Sequence, residues 1–225
     1  MNWEDEGFVI GKRRFRENAI ILDIFTGKFG KTSGIVYGGT SRKVKNHLQL
    51  MNKIFIIHTS KSENKIGYFK TELIKPISPK YFDNKNKILC LNSLSSILKS
   101  TLPENQSHKK IYDSLCFLLD NFSKENWMNL YLNWEVQLIQ YLGFGFNVDK
   151  TDTQKNFNEN TISINVDNVS YKIPKFLISK NEEKLDNNDI YNGLSFVRNL
   201  LENKFFNPNN LRFPYSRKLL EKKFI

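Results

Sequence analysis

The sequence predicts an α+β fold, with a five-stranded β-barrel at the N-terminus followed by an α-helical domain. Five short runs rich in Ile, Val, Phe and Thr occur between Glu6 and Ile77, and Gly or Asn/Lys clusters separate them. Beyond Pro76 and Pro79 the apolar residues recur at helical spacing instead. The chain has 225 residues, 40% of them hydrophobic and 13% aromatic, which is enough to bury a core in one large domain or two small ones. We therefore predict a barrel domain at 1–78 and a helical domain at 79–225.

Five strands in a segment of about 75 residues can close into a small Greek-key barrel such as the OB-fold. The segment Ser41–Gln49, between the third and fourth strands, is expected to form a short helix or a loop. Gly27–Gly30 and the pair Gly38-Gly39 are expected to be turns that need a positive φ. The strands are expected at Gly7–Lys12, Ala19–Thr26, Lys31–Tyr37, Ile54–Thr59 and Gly67–Ile77.

Helical periodicity predicts three helices and a short final one. The second helix has a narrow polar stripe and should be the central, mostly buried helix, ending at Gly143. Ser216 is expected to cap the last helix. An irregular insert near 150–174 is expected to contain a hairpin of Thr161–Val166 and Val169–Ile173. The apolar faces of the three long helices are Ile111, Leu115, Leu118, Leu119 and Phe122; Trp127, Tyr131, Trp134, Leu138 and Tyr141; and Ile190, Leu194, Val197, Leu201 and Phe205.

The charge is strongly positive and unevenly distributed. The formal net charge is +11. The first 80 residues hold 15 Lys and Arg against 7 Asp and Glu, a net of +8, and the remainder holds 19 against 16, a net of +3. Codon bias in an AT-rich genome explains the excess of Lys over Arg, but it does not explain why the charge concentrates in the barrel. An acidic partner is therefore expected.

Few residues are candidates for catalysis or metal binding. The histidines His47, His58 and His108 lie in no motif; His58, in an apolar strand, is expected to be a satisfied structural residue, and His47 is either a phosphate contact or a solvated loop residue. Cys90 and Cys116 lie in apolar runs, which favours free buried thiols in a reducing compartment. There is no zinc-type spacing and no P-loop. We predict no enzyme activity, no cofactor and no metal.

Without a signal peptide or transmembrane run, a cytosolic protein is expected.

Three clusters of Lys and Arg in the barrel segment are the candidate site. If the barrel brings these strand ends and loops to one side, they can neutralise several phosphates and make nucleic-acid binding steeply salt-dependent. The alternative for each single residue is a solvated surface charge. Phe8 and Phe25 fit the core, Tyr37 is interleaved with the cations, and Phe15 and Phe29 fit either core packing or base stacking. The candidate cations are Lys12, Arg13, Arg14 and Arg16; Lys28 and Lys31; and Arg42, Lys43 and Lys45.

The ordered set of motifs resembles the RecO family of recombination mediators. In the barrel, the strand AIILDIFT is followed by a Gly-bearing turn, then Tyr37-Gly38-Gly39 and Ser41-Arg42-Lys43. In the helical part, Trp134-Glu135 precedes Leu142-Gly143-Phe144-Gly145-Phe146, and Ser216-Arg217-Lys218-Leu219-Leu220 lies near the end. The resemblance runs from about Phe8 to Leu220 in collinear order. No single motif decides it, but the ordered set is fairly specific.

The resemblance implies an OB-fold paired with a helical domain, binding of single- and double-stranded DNA, and annealing of complementary strands. It also implies two protein partners: RecR, with which the family helps RecA replace single-strand-binding protein (SSB), and the acidic C-terminal tail of SSB. The localisation implied is bacterial, cytoplasmic and nucleoid-associated. Many relatives have a four-cysteine zinc site after the Leu-Gly segment, but no cysteine lies between Asn147 and Pro174 here, so zinc is not expected. Lys109 and Lys110 are weak candidates for the SSB tail, with helix-surface charge as the alternative.

The function predicted is a non-enzymatic, DNA-binding and annealing protein of DNA repair and recombination. An OB-fold RNA-binding or ribosome-associated factor is the main alternative. A metal-dependent nuclease would need clustered carboxylates that the sequence does not show. A protein–protein adaptor whose charge reflects codon bias is the third possibility.

Overall fold

A computed structural model describes residues 2–62, 65–144, 161–166, 169–179 and 185–225. The chain divides into two compact units. The first comprises Met1–Asp113 with Pro214–Leu220, and the second comprises Ser114–Phe213 with Glu221–Ile225. The predicted domain boundary after residue 78 stays a prediction. The first unit holds the barrel together with helical segments that follow it in the chain.

The N-terminal segment forms the predicted five-stranded closed barrel, an OB-fold. Its strand order is β1-β2-β3-β5-β4. Strands β3 and β5 close the barrel as a short parallel pair, Gly34 with Gly67 and Ile35 with Tyr68, and the other neighbours are antiparallel. The strands are β1 (Asn2–Arg16), β2 (Ala19–Thr26), β3 (Gly30–Tyr37), β4 (Lys53–Thr59) and β5 (Gly67–Lys75).

Strand β1 is much longer than the predicted Gly7–Lys12. Its first half pairs with β4 and its second half pairs with β2, so two partners hold one strand. The acidic start is compatible with a strand because alternate side chains face opposite sides. Trp3 packs against the core, whereas Glu4 and Glu6 are exposed. Bulges lie between Val9 and Gly11 and between Arg14 and Arg16.

The barrel core is mostly aliphatic, and helix α1 (Arg42–His47) lies beside it. The side chain of Ser41 accepts a hydrogen bond from the Val44 backbone N–H and caps α1 at its N-terminus. Val44 packs against the core, while the basic residues of α1 are exposed. The expected short helix between β3 and β4 is therefore confirmed. The buried core cluster is Val9, Ile20, Leu22, Ile24, Val36, Leu48, Ile54, Ile56 and Phe69.

Helix α2 (Lys85–Thr101) packs on the barrel, and the sequence analysis did not predict it. Asn84 caps its N-terminus by accepting a hydrogen bond from the Lys87 N–H. The Ser95 hydroxyl donates to the carbonyl of Ile10 on β1. A short 3-10 turn, Ser78–Tyr81, precedes α2.

The predicted capping role of Ser216 is wrong. Helix α7 (Tyr215–Glu221) already contains this residue. Its hydroxyl donates to the Asn92 carbonyl and contacts the Ser96 hydroxyl at 2.9 Å, so it bonds with α2 instead of a helix terminus.

The second unit contains the predicted long helices. Helix α3 (Lys109–Asp120) reaches it from the first unit, and α4 (Trp127–Ile139) and α6 (Asn187–Leu201) pack against each other. The predicted central helix α4 buries Tyr131, Trp134 and Leu138. A π turn, Gln140–Phe144, follows α4, and Gly143 leaves the helical conformation there with a φ of 89°.

A hairpin and a short helix complete the second unit. Strands β6 (Thr161–Val166) and β7 (Val169–Pro174) pair antiparallel, as the hairpin prediction expected. The predicted insert also covers residues 150–160, which lie outside the described residues. Helix α5 (Phe176–Ser179) follows, and a π turn, Glu202–Phe206, ends α6. None of the helices among the described residues has the length and apolar character needed to span a membrane.

Candidate nucleic-acid interface

The structure separates the predicted cations into two groups at opposite ends of the barrel. The β1–β2 turn lies beside Tyr37 because Ala19 pairs with Tyr37, whereas the β2–β3 turn lies at the other end, where Thr26 pairs with Gly30. Seven residue steps of β2 separate these ends, which is roughly 23 Å of strand. Arg16 is at the first end and Lys28 at the second. The expectation that all three clusters reach one side is therefore not met.

Helix α1 and the β1–β2 turn form one continuous basic surface. The backbone N–H of Gly38 donates to the carbonyl of Asn18, and the Thr40 hydroxyl donates to the carbonyl of Glu17. These bonds hold the segment that leads into α1 against the β1–β2 turn. We call this surface the basic end. Its cations are Lys12, Arg14, Arg16, Arg42, Lys43 and Lys45, and each of these residues is exposed.

Lys12 and Lys45 place two like charges close together. The Lys12 Nζ donates a hydrogen bond of 2.7 Å to the carbonyl of Leu48, just after α1. Burial lowers the pKa of the Lys12 ammonium, and the charge of Lys45 lowers this pKa further. An anion placed between the two ammonium groups would relieve their repulsion, which favours a phosphate at this position.

Besides Lys12, which donates to a backbone carbonyl, two of the predicted cations form ion pairs within the fold. Arg13 Nη1 lies 3.1 Å from Asp23, and Lys99 Nζ on α2 lies 2.8 Å from the same carboxylate, whose side chain is 6% exposed. Lys31 is 12% exposed, donates to the carbonyl of Lys99 and pairs with Glu104. Lys31 therefore acts mainly in the structure of the first unit. Arg13 remains more than half exposed, and it shares the Asp23 carboxylate with Lys99, so its charge is only partly offset.

The Asp23 cluster makes a testable contribution to stability. Burial alone would raise the pKa of this carboxyl, but hydrogen bonds from Lys99 and Ser33 and the charges of Lys99 and Arg13 together hold the pKa below its usual value. We expect Asp23→Asn to lower the free energy of unfolding at pH 7 by about 1–3 kcal/mol, since two charged hydrogen bonds are lost and both cations can regain water.

The stabilisation provided by Asp23 should depend on pH, because the carboxyl group must be ionised to attract Arg13 and Lys99. A depressed carboxyl pKa stabilises the fold above the unfolded-state pKa of about 3.9, and the benefit disappears as pH falls through the folded-state pKa. Urea unfolding at pH 7 and near pH 2.5 should therefore show a difference between wild type and Asp23→Asn that is smaller in acid. A difference that persists unchanged in acid would contradict the assignment to the charged carboxylate.

Exposed aromatic rings lie at the same end of the barrel as the basic end. Tyr37 on β3 and Tyr68 on β5 stack with ring centroids 5.4 Å apart and an interplanar angle of 18°, and they are 59% and 41% exposed. A hydrogen bond with Tyr68 raises the pKa of Tyr37, and the nearby charge of Arg16 acts in the opposite direction. Phe15 is 41% exposed, and the Arg16 guanidinium lies 5.2 Å from its ring centroid. The sequence analysis did not identify Tyr68, because the barrel closure that brings it to Tyr37 is non-local.

Two family models match consecutive parts of the chain and together cover most of it. The family model described as "Recombination protein O N terminal" matches residues 1–77, and the one described as "Recombination protein O C terminal" matches residues 84–215. The chain belongs to the RecO family.

Individual RecO proteins are similar to this chain along most of its length. The DNA repair protein RecO of Hyphomonas neptunium is 30% identical over 241 residues, which cover 99% of this chain and 98% of the relative. The Ehrlichia chaffeensis and Roseobacter denitrificans RecO proteins are each 33% identical, over 71% and 64% of this chain and 65% and 60% of their own lengths. The resemblance identified from the sequence motifs is therefore confirmed.

Among solved structures, the chain is similar to asparaginyl-tRNA synthetase from Entamoeba histolytica, with 12% identity and a TM-score of 0.29. The similarity covers 95% of this chain and 59% of that chain. At that TM-score the likeness has no bearing on fold or function.

The remaining residues that the sequence analysis considered as binding candidates lie outside the set of cations that forms the basic end. Lys28 is exposed in the β2–β3 turn, away from the basic end. Lys109 and Lys110 are exposed at the start of α3, and their role toward an SSB tail stays a prediction. His47 lies in the last turn of α1.

The prediction for His58 is wrong in one respect. The ring is half-buried, but its Nδ1 is buried and has no hydrogen-bond partner among the described residues, because its neighbours in the barrel are aromatic. Cys90 and Cys116 form no disulfide, and Cys90 is buried whereas Cys116 is half-buried. Within the part of the chain that the structure describes, no three His, Cys, Asp or Glu residues group as a metal site would require.

Proposed function

We propose that this chain is a DNA-binding and strand-annealing protein of DNA repair and recombination, and that it acts without a covalent step. The observation that carries the proposal is the basic end, where exposed Lys and Arg side chains lie at the same end of an OB-fold as exposed aromatic rings. Membership of the RecO family supports the DNA repair assignment.

The proposed mechanism is electrostatic. Complementary strands repel each other through their phosphates, and bound Lys and Arg side chains reduce that repulsion while counterions are released. Glu17 is the one acidic residue in the β1–β2 turn, so the local charge stays strongly positive. Exposed aromatic faces stack on bases without sequence preference, which keeps a strand unpaired until its complement arrives.

Five of the basic-end cations have no hydrogen bond to the fold among those described, the exception being Lys12. If those five contact phosphates of single-stranded DNA, the slope of log K against log salt should be about −3.5. Affinity should then fall roughly 100-fold between 50 and 200 mM NaCl. A salt slope near zero would favour the adaptor alternative over DNA binding.

The stacked tyrosines give a second test of the proposal. Base stacking on an aromatic ring contributes about 1–3 kcal/mol per base, so Tyr37→Ala should weaken binding of single-stranded DNA by roughly 5- to 100-fold without changing the salt slope. Tyr215→Ala is the matched control, since Tyr215 is also a highly exposed tyrosine, at 71%, but lies on α7. Fluorescence anisotropy with a labelled oligonucleotide measures both variants. An equal loss of affinity for single-stranded DNA in the two variants would contradict the assignment of Tyr37 to the DNA interface.

The partners proposed are RecR and the acidic C-terminal tail of SSB, with RecA loading as the outcome. The family resemblance supports these partners, and the exposed Lys109 and Lys110 are candidates for the carboxylates of the tail. A cytoplasmic, nucleoid-associated localisation is proposed on the same grounds. The test is annealing of complementary strands coated with SSB, using intact SSB and SSB without its tail. We expect faster annealing with intact SSB, and equal rates would contradict the tail interaction.

Comparing the affinity of the chain for single-stranded DNA and for RNA of the same sequence distinguishes the proposed function from the RNA-binding alternative. A protein that reads RNA should use the 2′-hydroxyl and bind RNA more tightly than DNA of the same sequence. The proposed function predicts no preference for RNA.

A further inference from the structure

A cavity of about 570 Å³ opens where the barrel closes imperfectly. The parallel β3–β5 ladder holds two residue pairs, Gly34 with Gly67 and Ile35 with Tyr68. Toward the start of β3, Lys31 instead forms a bridge with Glu104, and the Asn105 N–H donates to the Lys31 carbonyl. The cavity is lined from both sides of this seam. Its volume falls in the range of about 300–1,000 Å³ that is typical of small-molecule sites.

A row of three stacked rings forms one wall of the cavity. The Trp3 ring lies 4.2 Å from Phe29 with an interplanar angle of 19°, and 4.7 Å from His58 with an angle of 28°. Trp3 is therefore the middle ring. Beyond His58 the row is closed by Gly67, where an added Cβ would meet the imidazole Nε2 at 2.0 Å. At the other end, Phe29 lines the cavity and is only partly buried, which leaves ring surface on which a flat ligand can stack.

Phe29 is held in place before any ligand binds. Its backbone N–H donates to the Thr26 hydroxyl at 3.0 Å, and the Lys28 N–H donates to the Asp5 carboxylate at 3.1 Å. Gly30 follows with a φ of 70° and packs against the backbone of Gln106. A ring in a rigid turn loses little conformational freedom on binding, which favours affinity.

The polar groups around the cavity match the edge and the phosphate of a nucleotide. His58 also lines the cavity, but Trp3 and Phe29 lie between its ring and a base stacked on the outer face of Phe29. Glu104 and Lys65, both exposed, line the cavity as an acceptor and a cation, and Lys28 is exposed next to Phe29. Nucleobase edges offer both donors and acceptors, and a phosphate is attracted by the lysines.

We propose that the seam cavity binds one unpaired nucleobase, stacked on Phe29, with the attached phosphate held by Lys28 and Lys65. This inference rests on the proposed function, since the base belongs to the bound strand. The site lies at the opposite end of β2 and β3 from the basic end, so one strand could contact both ends of the barrel. Holding a base out of the strand at a second position would keep that strand open for pairing.

The test is an NMR titration of the full chain with deoxyadenosine monophosphate, following the ring resonances of Phe29 and the indole resonance of Trp3. Deoxyribose 5-phosphate, which has the phosphate without the base, is titrated in parallel. We expect a saturable shift with the nucleotide at millimolar concentrations and binding at least tenfold weaker for the sugar phosphate. No saturable shift, or equal affinity for both probes, would overturn the proposal.

Two variants distinguish a base site from a packing void. Phe29→Ala should weaken nucleotide binding at least fivefold. Ile66→Glu places a carboxylate at the cavity lining and should weaken it as well, whereas Ile74→Glu should not, although both isoleucines are 43% exposed and lie in the same unit. Unchanged nucleotide binding in both Phe29→Ala and Ile66→Glu would overturn the proposal. Tighter binding of an aromatic peptide such as N-acetyl-tryptophanamide than of the nucleotide would also overturn it, in favour of a protein partner.

Measuring mononucleotide binding and strand binding on the same variants distinguishes failure of the cavity proposal from failure of the proposed function. Charge reversal of α1 should weaken strand binding by roughly 100- to 1,000-fold at 50 mM salt and leave mononucleotide binding intact. If the wild type binds long strands but not the mononucleotide, the cavity proposal fails alone. If it binds the mononucleotide but neither binds nor anneals strands, the proposed function fails while the cavity remains a nucleotide site.

Discussion

Replacing Arg42, Lys43 and Lys45 together with Glu is expected to abolish strand annealing and to weaken single-stranded DNA binding by roughly 100- to 1,000-fold at 50 mM salt. Three lost phosphate contacts account for this factor, because each contributes about 0.7 to the salt slope. The slope itself should fall from about −3.5 to about −1.4. Anisotropy titrations over a salt series measure both quantities.

The triple variant should remain folded. All three side chains are exposed, and the two groups that fix α1, the Ser41 cap and the Val44 side chain, are unchanged. Exposed substitutions of this kind change stability by about 0.5 kcal/mol or less each. Circular dichroism and the unfolding midpoint check this point.

A matched control separates local contacts from total charge. Lys80, Lys85 and Lys110 are exposed and belong to the same compact unit, so changing these three to Glu alters the net charge equally. We expect this control to retain at least a third of the wild-type affinity. If both triple variants lose binding to the same extent, the basic end is not the interface and the effect is one of overall charge.

Gly30→Ala is expected to have the largest effect on stability, lowering the free energy of unfolding by more than about 3 kcal/mol. Gly30 has a φ of 70°, and a Cβ there would meet the backbone oxygen of Gln106 at 1.8 Å. The left-handed conformation alone costs an L-residue about 1–2 kcal/mol. The clash adds to this cost because a backbone atom cannot move aside as a flexible side chain can.

Gly38→Ala supplies the matched comparison. Gly38 has nearly the same φ, 69°, but an added Cβ has no heavy atom within 4 Å. Its cost should therefore be the conformational part alone, about 1–2 kcal/mol. Urea unfolding monitored by far-UV circular dichroism gives both values. Equal losses for the two variants would show that the close approach of Gln106 to the turn is not a structural requirement.

The barrel and the long helices could be predicted because local pattern and burial agree. Ala19–Thr26 is rich in β-branched and aromatic residues, and the apolar faces predicted for α3, α4 and α6 are largely buried. Strand β1 was underestimated because its length depends on pairing with β4, some fifty residues away in the chain. Helix α2 was missed although Leu91, Leu94 and Leu98 are spaced for one buried face. Its serines hid that signal, and two of them, Ser96 and Ser100, donate to backbone carbonyls one turn earlier.

The candidate site was predictable in composition but not in arrangement. The sequence identifies the cations, but it does not show that Arg13 and Lys31 have acidic partners within the fold. Those partners, Asp23 and Glu104, are brought into contact by strand pairing and by the chain beyond the barrel. Likewise Trp3, Phe29 and His58 come from three separate strands or turns, and their stack exists only in the closed barrel.

These features support an account in which the two ends of one barrel have different roles. In this account, the proposed role of the basic end is to neutralise phosphate, and the proposed role of the seam cavity at the other end is to hold a base. Neither role needs a bond to be made or broken. The account therefore predicts that strand annealing depends on salt and on exposed cations, and that it proceeds without ATP.

The most direct test of this central claim is the second-order rate of annealing of two complementary, dye-labelled strands, measured without ATP at 50 and 200 mM NaCl. We expect the wild-type chain to accelerate annealing at 50 mM, to lose most of that acceleration at 200 mM, and to lose all of it when Arg42, Lys43 and Lys45 are reversed. No acceleration by the folded wild-type chain at either salt concentration would contradict the account.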